Sequence, residues 1–215
     1  MILCYVTDRK LLGPAAGTEQ LLPQITCAGA AGVDWIQIRE KDLPARELLE
    51  LVRGAVAAVP APASILINDR LDVALASGAA GVHLGSNSIP VAEAVRWCRA
   101  GNAPADFRVG VSCHSLREAN DAERAGASYI FFGPVFETPS KAQFGPPQGI
   151  ARLAEVCRGV KIPVLAIGGI KEENAAACLK AGAAGIAAIR MFQDAPDAAR
   201  LSRVVSRLRK LPVSD

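Results

Sequence analysis

Histidine is scarce in this chain, with two among 215 residues, and aromatic residues make up only 5%. The six cysteines (Cys4, Cys27, Cys98, Cys113, Cys157, Cys178) are scattered and include no Cys-x-x-Cys pair. A chain of this size needs no disulfide staples, so reduced thiols and a cytoplasmic location are expected. No apolar run escapes interruption by Pro or charge over a bilayer's width, which excludes a spanning helix and argues against a membrane partner. The opening residues, MILCYVTDRK, have no basic region ahead of an apolar stretch and do not read as a signal peptide. Net charge is only +3, and no basic stripe interleaves with aromatics, so nucleic acid is not an expected partner. A mild positive balance does suit a small anionic substrate. Assembly into a homo-oligomer is left open.

Hydrophobic residues, by contrast, reach 51%, enough for one large core and a single domain over residues 1–215. A short motif recurs: AGAAG at 28–32, SGAAG at 77–81, AGASY at 125–129 and AGAAG at 181–185. Glycine at a helix end adopts positive φ without penalty, and each copy is followed by an apolar stretch. Each copy therefore reads as a helix stop, a tight turn and a buried strand. The copies lie about 50 residues apart, room for two β/α units each. Eight short strands follow, at 2–8, 35–39, 64–68, 81–85, 108–112, 129–133, 163–168 and 185–189. They are apolar on both faces, as parallel strands covered by helices must be. Stretches such as ARELLELVRGAVAAV, SLREANDAERAG and KEENAAACLKAG supply the helices between them. Eight β/α units in one domain predict a single (β/α)8 TIM barrel with tight loops.

One loop is not tight. After strand six the sequence runs FFGPVFETPSKAQFGPPQG over 131–149, a long polar segment that can be neither helix nor sheet. Ordered loops of this length are usually functional. In such barrels chemistry sits at the C-terminal ends of the strands. The polar residues there are Thr7, Asp8, Gln37, Arg39, Lys41, Asn68, Asp69, Arg70, Asn87, Ser88, Ser112, His114, Thr138, Ser140, Lys141 and Arg190, with Gly168 and Gly169. Cations, amides and hydroxyls outnumber carboxylates, as a phosphorylated ligand would require.

Individual positions sharpen that reading. IGGI at 167–170 lets a phosphate approach backbone N–H groups, although it also suits a plain turn. QIREK at 37–41 points Gln37, Arg39 and Lys41 to one side at a period of two. Asp69, closing ILIND, is a candidate for Mg²⁺ beside phosphates or, alternatively, an N-cap. His83 lies within a strand and reads as a hydrogen-bonded core residue. His114, just past strand five, is placed to carry a proton. Cys113 beside it points the other way, which excludes a Cys/His nucleophile. Arg200, Arg203 and Arg207 share the outer face of the last helix.

The ordered set QIREK, IND, GVHLG, GVSCH, FGPVFETPSK, IGGI and AGAAGIA covers nearly the whole chain. It resembles the thiamine phosphate synthase family, which includes the thiazole tautomerase TenI. The resemblance implies coupling of 4-amino-2-methyl-5-hydroxymethylpyrimidine diphosphate to thiazole phosphate through a pyrimidine carbocation. It implies that Gln37, Arg39, Lys41, Asn68 and Lys141 hold the diphosphate and that Asp69 binds Mg²⁺. Thr138 and Ser140 would meet the thiazole, Gly168, Gly169, Ile189 and Arg190 its phosphate, and Ser112 the pyrimidine. The long loop would then be a lid that brings Lys141 to the leaving group. One departure stands out: Ser88 occupies the place of the synthase's second Mg²⁺ carboxylate. Arg190 stands where the family usually has Ser. CHSLREA and VFET are TenI-like, and a tautomerase would use His114 as its proton carrier without metal. The retained diphosphate set favours the synthase over the tautomerase, and both over a catalytically silent thiazole-phosphate binder.

Overall fold

The computed structural model describes residues 1–13, 17–138, 146–195 and 197–212. Eight parallel strands close into a barrel in chain order: β1 (Ile2–Val6), β2 (Trp35–Ile38), β3 (Ser64–Asn68), β4 (Gly81–Leu84), β5 (Arg108–Cys113), β6 (Tyr129–Phe132), β7 (Val164–Ile167) and β8 (Gly185–Ala188). Closure joins β8 to β1 with Leu3 opposite Ile186 and Tyr5 opposite Ala188. Helices cover the outside: α1 (Thr18–Ala30), α2 (Ala45–Ala58), α3 (Leu71–Ser77), α4 (Val91–Trp97), α5 (Leu116–Arg124), α6 (Gly149–Gly159), α7 (Glu172–Lys180), α8 (Arg190–Gln193) and α9 (Ala198–Arg209). No helix among the described residues is long and apolar enough to cross a membrane.

The recurring glycine does what its position predicts. Gly32, Gly78, Gly126 and Gly182 all sit at positive φ, directly after a helix. Past each, an N–H reaches back five residues into the helix, as from Val33 to Ala28 and from Ala183 to Cys178. In the first copy the capping residue is the last glycine of AGAAG, not the second, so the repeat is in register as Ala/Ser-Gly-x-x-(strand). The arginines of α9 are not merely solvated: Arg200 and Arg207 both grip Glu172 at the start of α7.

Because side chains alternate along a strand, every strand sends one set outward to the helices and one into the barrel. The outward set builds the larger core with the helix faces. Cys4, Val6, Leu66, Tyr129, Phe131, Leu165 and Ala187 pack the interior. Tyr129 fills the barrel beside Trp35, ring centres 4.8 Å apart. Glycine at 110 is what makes room for it, since a Cβ there would lie 2.1 Å from the Tyr129 ring.

Candidate active site at the C-terminal mouth of the barrel

The inward residues near the strand ends are unlike on the two sides of the barrel. β6, β7, β8 and β1 contribute Phe131, Leu165, Ile167, Ala187, Ile189 and Val6. The adjacent strands β2 to β5 contribute Gln37, Asn68, His83 and Ser112, and these pair off. Gln37 Nε2 donates to Asn68 Oδ1 at 3.2 Å. His83 Nε2 lies 3.0 Å from Ser112 Oγ, and its Nδ1 lies 3.2 Å from the Tyr129 hydroxyl. A buried phenol must place its proton on an acceptor, and among the described residues His83 Nδ1 is the one within reach. His83 therefore carries its own proton on Nε2 and donates it to Ser112. The Ser112 proton remains for a group in the mouth. Burial pushes His83 down to about 3, so the ring stays neutral. Gln37 is 2% exposed, and its Oε1 has no hydrogen-bond partner among the described residues. A buried acceptor left open in this way suits a ligand that brings a donor.

The loop after β2 carries the cations. β2 ends at Ile38, so Arg39 and Lys41 leave the pleat, and the expected inward alternation stops at Gln37. Glu40 takes the buried place instead, at 4% exposure, while Arg39 is half-buried and Lys41 exposed. Neither Arg39 nor Lys41 makes an ion pair among the described residues. After β3, Asp69 adopts φ 69°, the one non-glycine residue with positive φ among those described. Its N–H donates to the carbonyl of His83, which fixes the strained turn. α3 starts at Leu71 with Arg70 before it and no side-chain cap, so Asp69 is not an N-cap. Its exposed carboxylate has no hydrogen bond or ion pair among the described residues.

Opposite these lies a second anion-ready region. Gly168 and Gly169 have φ of 94° and 65°. A Cβ at Gly169 would lie 2.4 Å from the Glu137 carbonyl, so glycine is required twice over. Asn174 holds the Gly169 carbonyl through Nδ2 at 2.9 Å. The N–H groups of Gly169, Ile170 and Arg190 make no hydrogen bond among the described residues. Arg190 is exposed, with Asp194 4.0 Å away. The base of the long loop is pinned here, because Val135 and Phe136 donate to the carbonyls of Ile167 and Gly168. Its far end returns to the same place through Gln148 N–H to the Pro134 carbonyl at 2.8 Å.

A family model described as thiamine monophosphate synthase matches residues 3–192. The chain belongs to the thiamine monophosphate synthase family. It is 41% identical over 209 residues to a thiamine-phosphate synthase of Roseiflexus castenholzii, covering 95% of this chain and 86% of that one. It is 43% identical over 212 residues to that of Methanocella arvoryzae, covering 96% of each. Among solved structures it resembles thiamine phosphate pyrophosphorylase from Pyrococcus furiosus, with a TM-score of 0.81, 33% identity, and coverage of 98% and 94%.

Within this family framework the remaining candidates can be placed. Ser88 Oγ accepts the Gly85 N–H at 2.7 Å, so its hydroxyl is engaged in its own turn. His114 is exposed, and its Nδ1 meets the Gly133 carbonyl. A carbonyl only accepts, so the proton sits on Nδ1, and Nε2 is left as an acceptor. Ser115 caps α5, and Cys113 is buried, its thiol pushed up to about 12 by desolvation. Thr138 is half-buried at the loop's edge. Ser140 and Lys141 lie outside the described residues. Sequence reasoning missed Glu40, Asn174 and Gln193. Glu40 was visible inside QIREK as a carboxylate between two cations, whereas Gln193 gains meaning only once β8 closes on β1.

Proposed function

We propose that this chain is a thiamine phosphate synthase, joining hydroxymethylpyrimidine diphosphate to thiazole phosphate with release of diphosphate. The observation that carries the reading is the pair of anion-ready regions in one barrel mouth. Among the described residues Arg39 and Lys41 stand without an ion pair after β2, while open N–H groups and Arg190 stand after β7 and β8. A reaction between two phosphorylated partners needs both. A tautomerase acting on one phosphate needs only the second.

In this mechanism the C–O bond to diphosphate breaks first, and both electrons leave with the oxygen. Arg39 and Lys41 balance the charge that grows there, and Asn68 donates beside them. Lys141, from the long sequence segment after β6, would complete that set. The thiazole nitrogen then captures the pyrimidine cation as the new C–N bond forms. Gln37 is better matched to the pyrimidine's amino group than to diphosphate, because its open atom is an acceptor. The Ser112 hydroxyl, its proton free, donates to a ring nitrogen. Gly168, Gly169, Ile189 and Arg190 seat the thiazole phosphate, with Thr138 and Ser140 against the ring. The apolar side of the barrel helps to exclude water from the cation.

The donor set is compatible with Mg²⁺ held by Asp69, since that ion accepts one carboxylate when phosphate oxygens and waters complete its shell. Bound there, Mg²⁺ would neutralise charge on the diphosphate. No group of three or more His, Cys, Asp or Glu among the described residues is arranged to hold a metal ion, and Ser88 adds no second carboxylate.

His114 favours the tautomerase as a second reading, because its Nε2 is left as an acceptor. Purified protein with both substrates and Mg²⁺ is expected to yield thiamine phosphate and diphosphate. The carboxylated thiazole tautomer alone is expected to persist. Conversion of the tautomer, abolished in His114→Asn, together with no coupling, would replace the first reading by the second.

A further inference from the structure

The loop that carries the cations after β2 is tied by its backbone to the loop after β1. Thr7 ends β1. Its Oγ1 donates to Glu40 at 2.6 Å and accepts the backbone N–H of Arg39 at 3.0 Å. Its own N–H donates to the Gln37 carbonyl at 3.0 Å. Thr7 is fully buried and the Glu40 side chain is 2% exposed. A carboxylate so deep must be compensated. Glu40 receives the backbone N–H and the guanidinium of Arg9, each at 3.2 Å. Arg9 also reaches Asp42 at 2.6 Å, and Lys10 takes the other Asp42 oxygen at 3.2 Å. The loop's two acids are thus neutralised by the two basic residues of the neighbouring loop. Arg39 and Lys41 are the charges left over.

The β1 loop is fixed from its other side as well. Gln193, 4% exposed and just past β8, takes the Asp8 N–H at 3.0 Å and donates to the Asp8 carbonyl at 2.6 Å. Its Oε1 also accepts the Tyr5 hydroxyl at 3.0 Å. The loop is therefore a wedge between the two anion-ready regions, held by Glu40 on one flank and Gln193 on the other.

We propose that the Thr7–Glu40 pair is the positioning element of the diphosphate site: it fixes the backbone of Arg39, and Glu40 acts by geometry rather than by its charge. The proposal rests on the diphosphate reading of Arg39 and Lys41. Facing the leaving group directly, a carboxylate would repel it. Tied to Thr7 and covered by Arg9, it instead locks the loop from within.

Three variants test this, each compared with wild type for binding of inorganic diphosphate with Mg²⁺ by calorimetry and for the KM of each substrate. Thr7→Val keeps shape and charge but removes both hydroxyl bonds. It is expected to weaken diphosphate binding and raise the pyrimidine diphosphate KM by about tenfold, with the thiazole phosphate KM within about twofold of wild type. Thr7→Ser, which retains the hydroxyl, is expected to restore both. Glu40→Gln removes a negative charge near an anion site, but its amide NH2 would face the Arg9 donors that Oε2 now receives and so unseat the pair, and it is therefore expected to weaken diphosphate binding. Should Thr7→Val fold poorly, Glu40→Gln decides alone. Tighter binding in Glu40→Gln would make Glu40 a mere counter-charge and overturn the proposal. So would equal loss for both substrates in Thr7→Val, the mark of general destabilisation. A wild-type protein that binds no diphosphate would overturn the diphosphate site itself, and the positioning role with it.

Discussion

Lowering the pH from about 7 to about 5 should remove a calculable share of stability through His83 alone. An unfolded imidazole titrates near 6.5, whereas burial pushes His83 in the native barrel down to about 3. Between those values the unfolded chain binds a proton that the native state refuses. The folded value is the depressed one, so stability is intact above the unfolded value and falls as pH drops toward the folded one. Integrating the proton difference over this window gives a loss of about 2 kcal/mol. The carboxylates do not blur the result. Asp42 is held low first by Arg9, and Asp72 first by Arg70, so their contributions fade only below the ordinary aspartate value of 3.8. His83→Gln is the control, because an amide can accept from Tyr129 and donate to Ser112 while staying neutral. Urea unfolding at both pH values should show wild type losing about 2 kcal/mol more than His83→Gln. Equal losses would mean that His83 is protonated in the native state, and the deduced polarity of Ser112 would fall with it.

Other perturbations test separate parts of the structure. Asp69→Asn should abolish coupling yet leave stability unchanged or raised by up to about 1 kcal/mol, since Asn tolerates positive φ better than most residues; a clear loss in thermal unfolding would give the carboxylate a structural task instead. Gly110→Ala should destabilise by about 3 kcal/mol or more, because the new methyl meets the Tyr129 ring and neither can move away within a packed barrel, and a near-native melting temperature would contradict that packing. Ser88→Asp should lower the Mg²⁺ concentration needed for half-maximal coupling, and an unchanged requirement would mean that position 88 does not face the metal.

The barrel was legible because its signals are local. Apolar runs of strand length alternate with helical stretches, and a glycine at positive φ ends the helix before β2, β4, β6 and β8. The observed strands fall within a residue or two of their expected places, most often ending earlier. That shortfall decided the misreading at QIREK. A period of two holds only while the strand lasts, and β2 stops at Ile38, which frees Arg39 and Lys41 and lets Glu40 turn inward. The candidate site was legible as residue types at strand ends. Its polarity was not. That Gln37 leaves an acceptor open depends on Asn68, and that Ser112 keeps a proton depends on Tyr129 reaching across to His83. Such partners lie 31 and 46 residues apart in the chain and meet only in the closed barrel.

The account rests on two separate anion sites serving two substrates. The most direct measurement is calorimetric titration of thiazole phosphate into protein already saturated with Mg²⁺ and inorganic diphosphate. A ternary complex is predicted, one thiazole phosphate per chain, with affinity within about tenfold of that for the free protein. Displacement of diphosphate by thiazole phosphate, with apparent affinity falling in proportion to the diphosphate present, would show a single shared site and contradict the account.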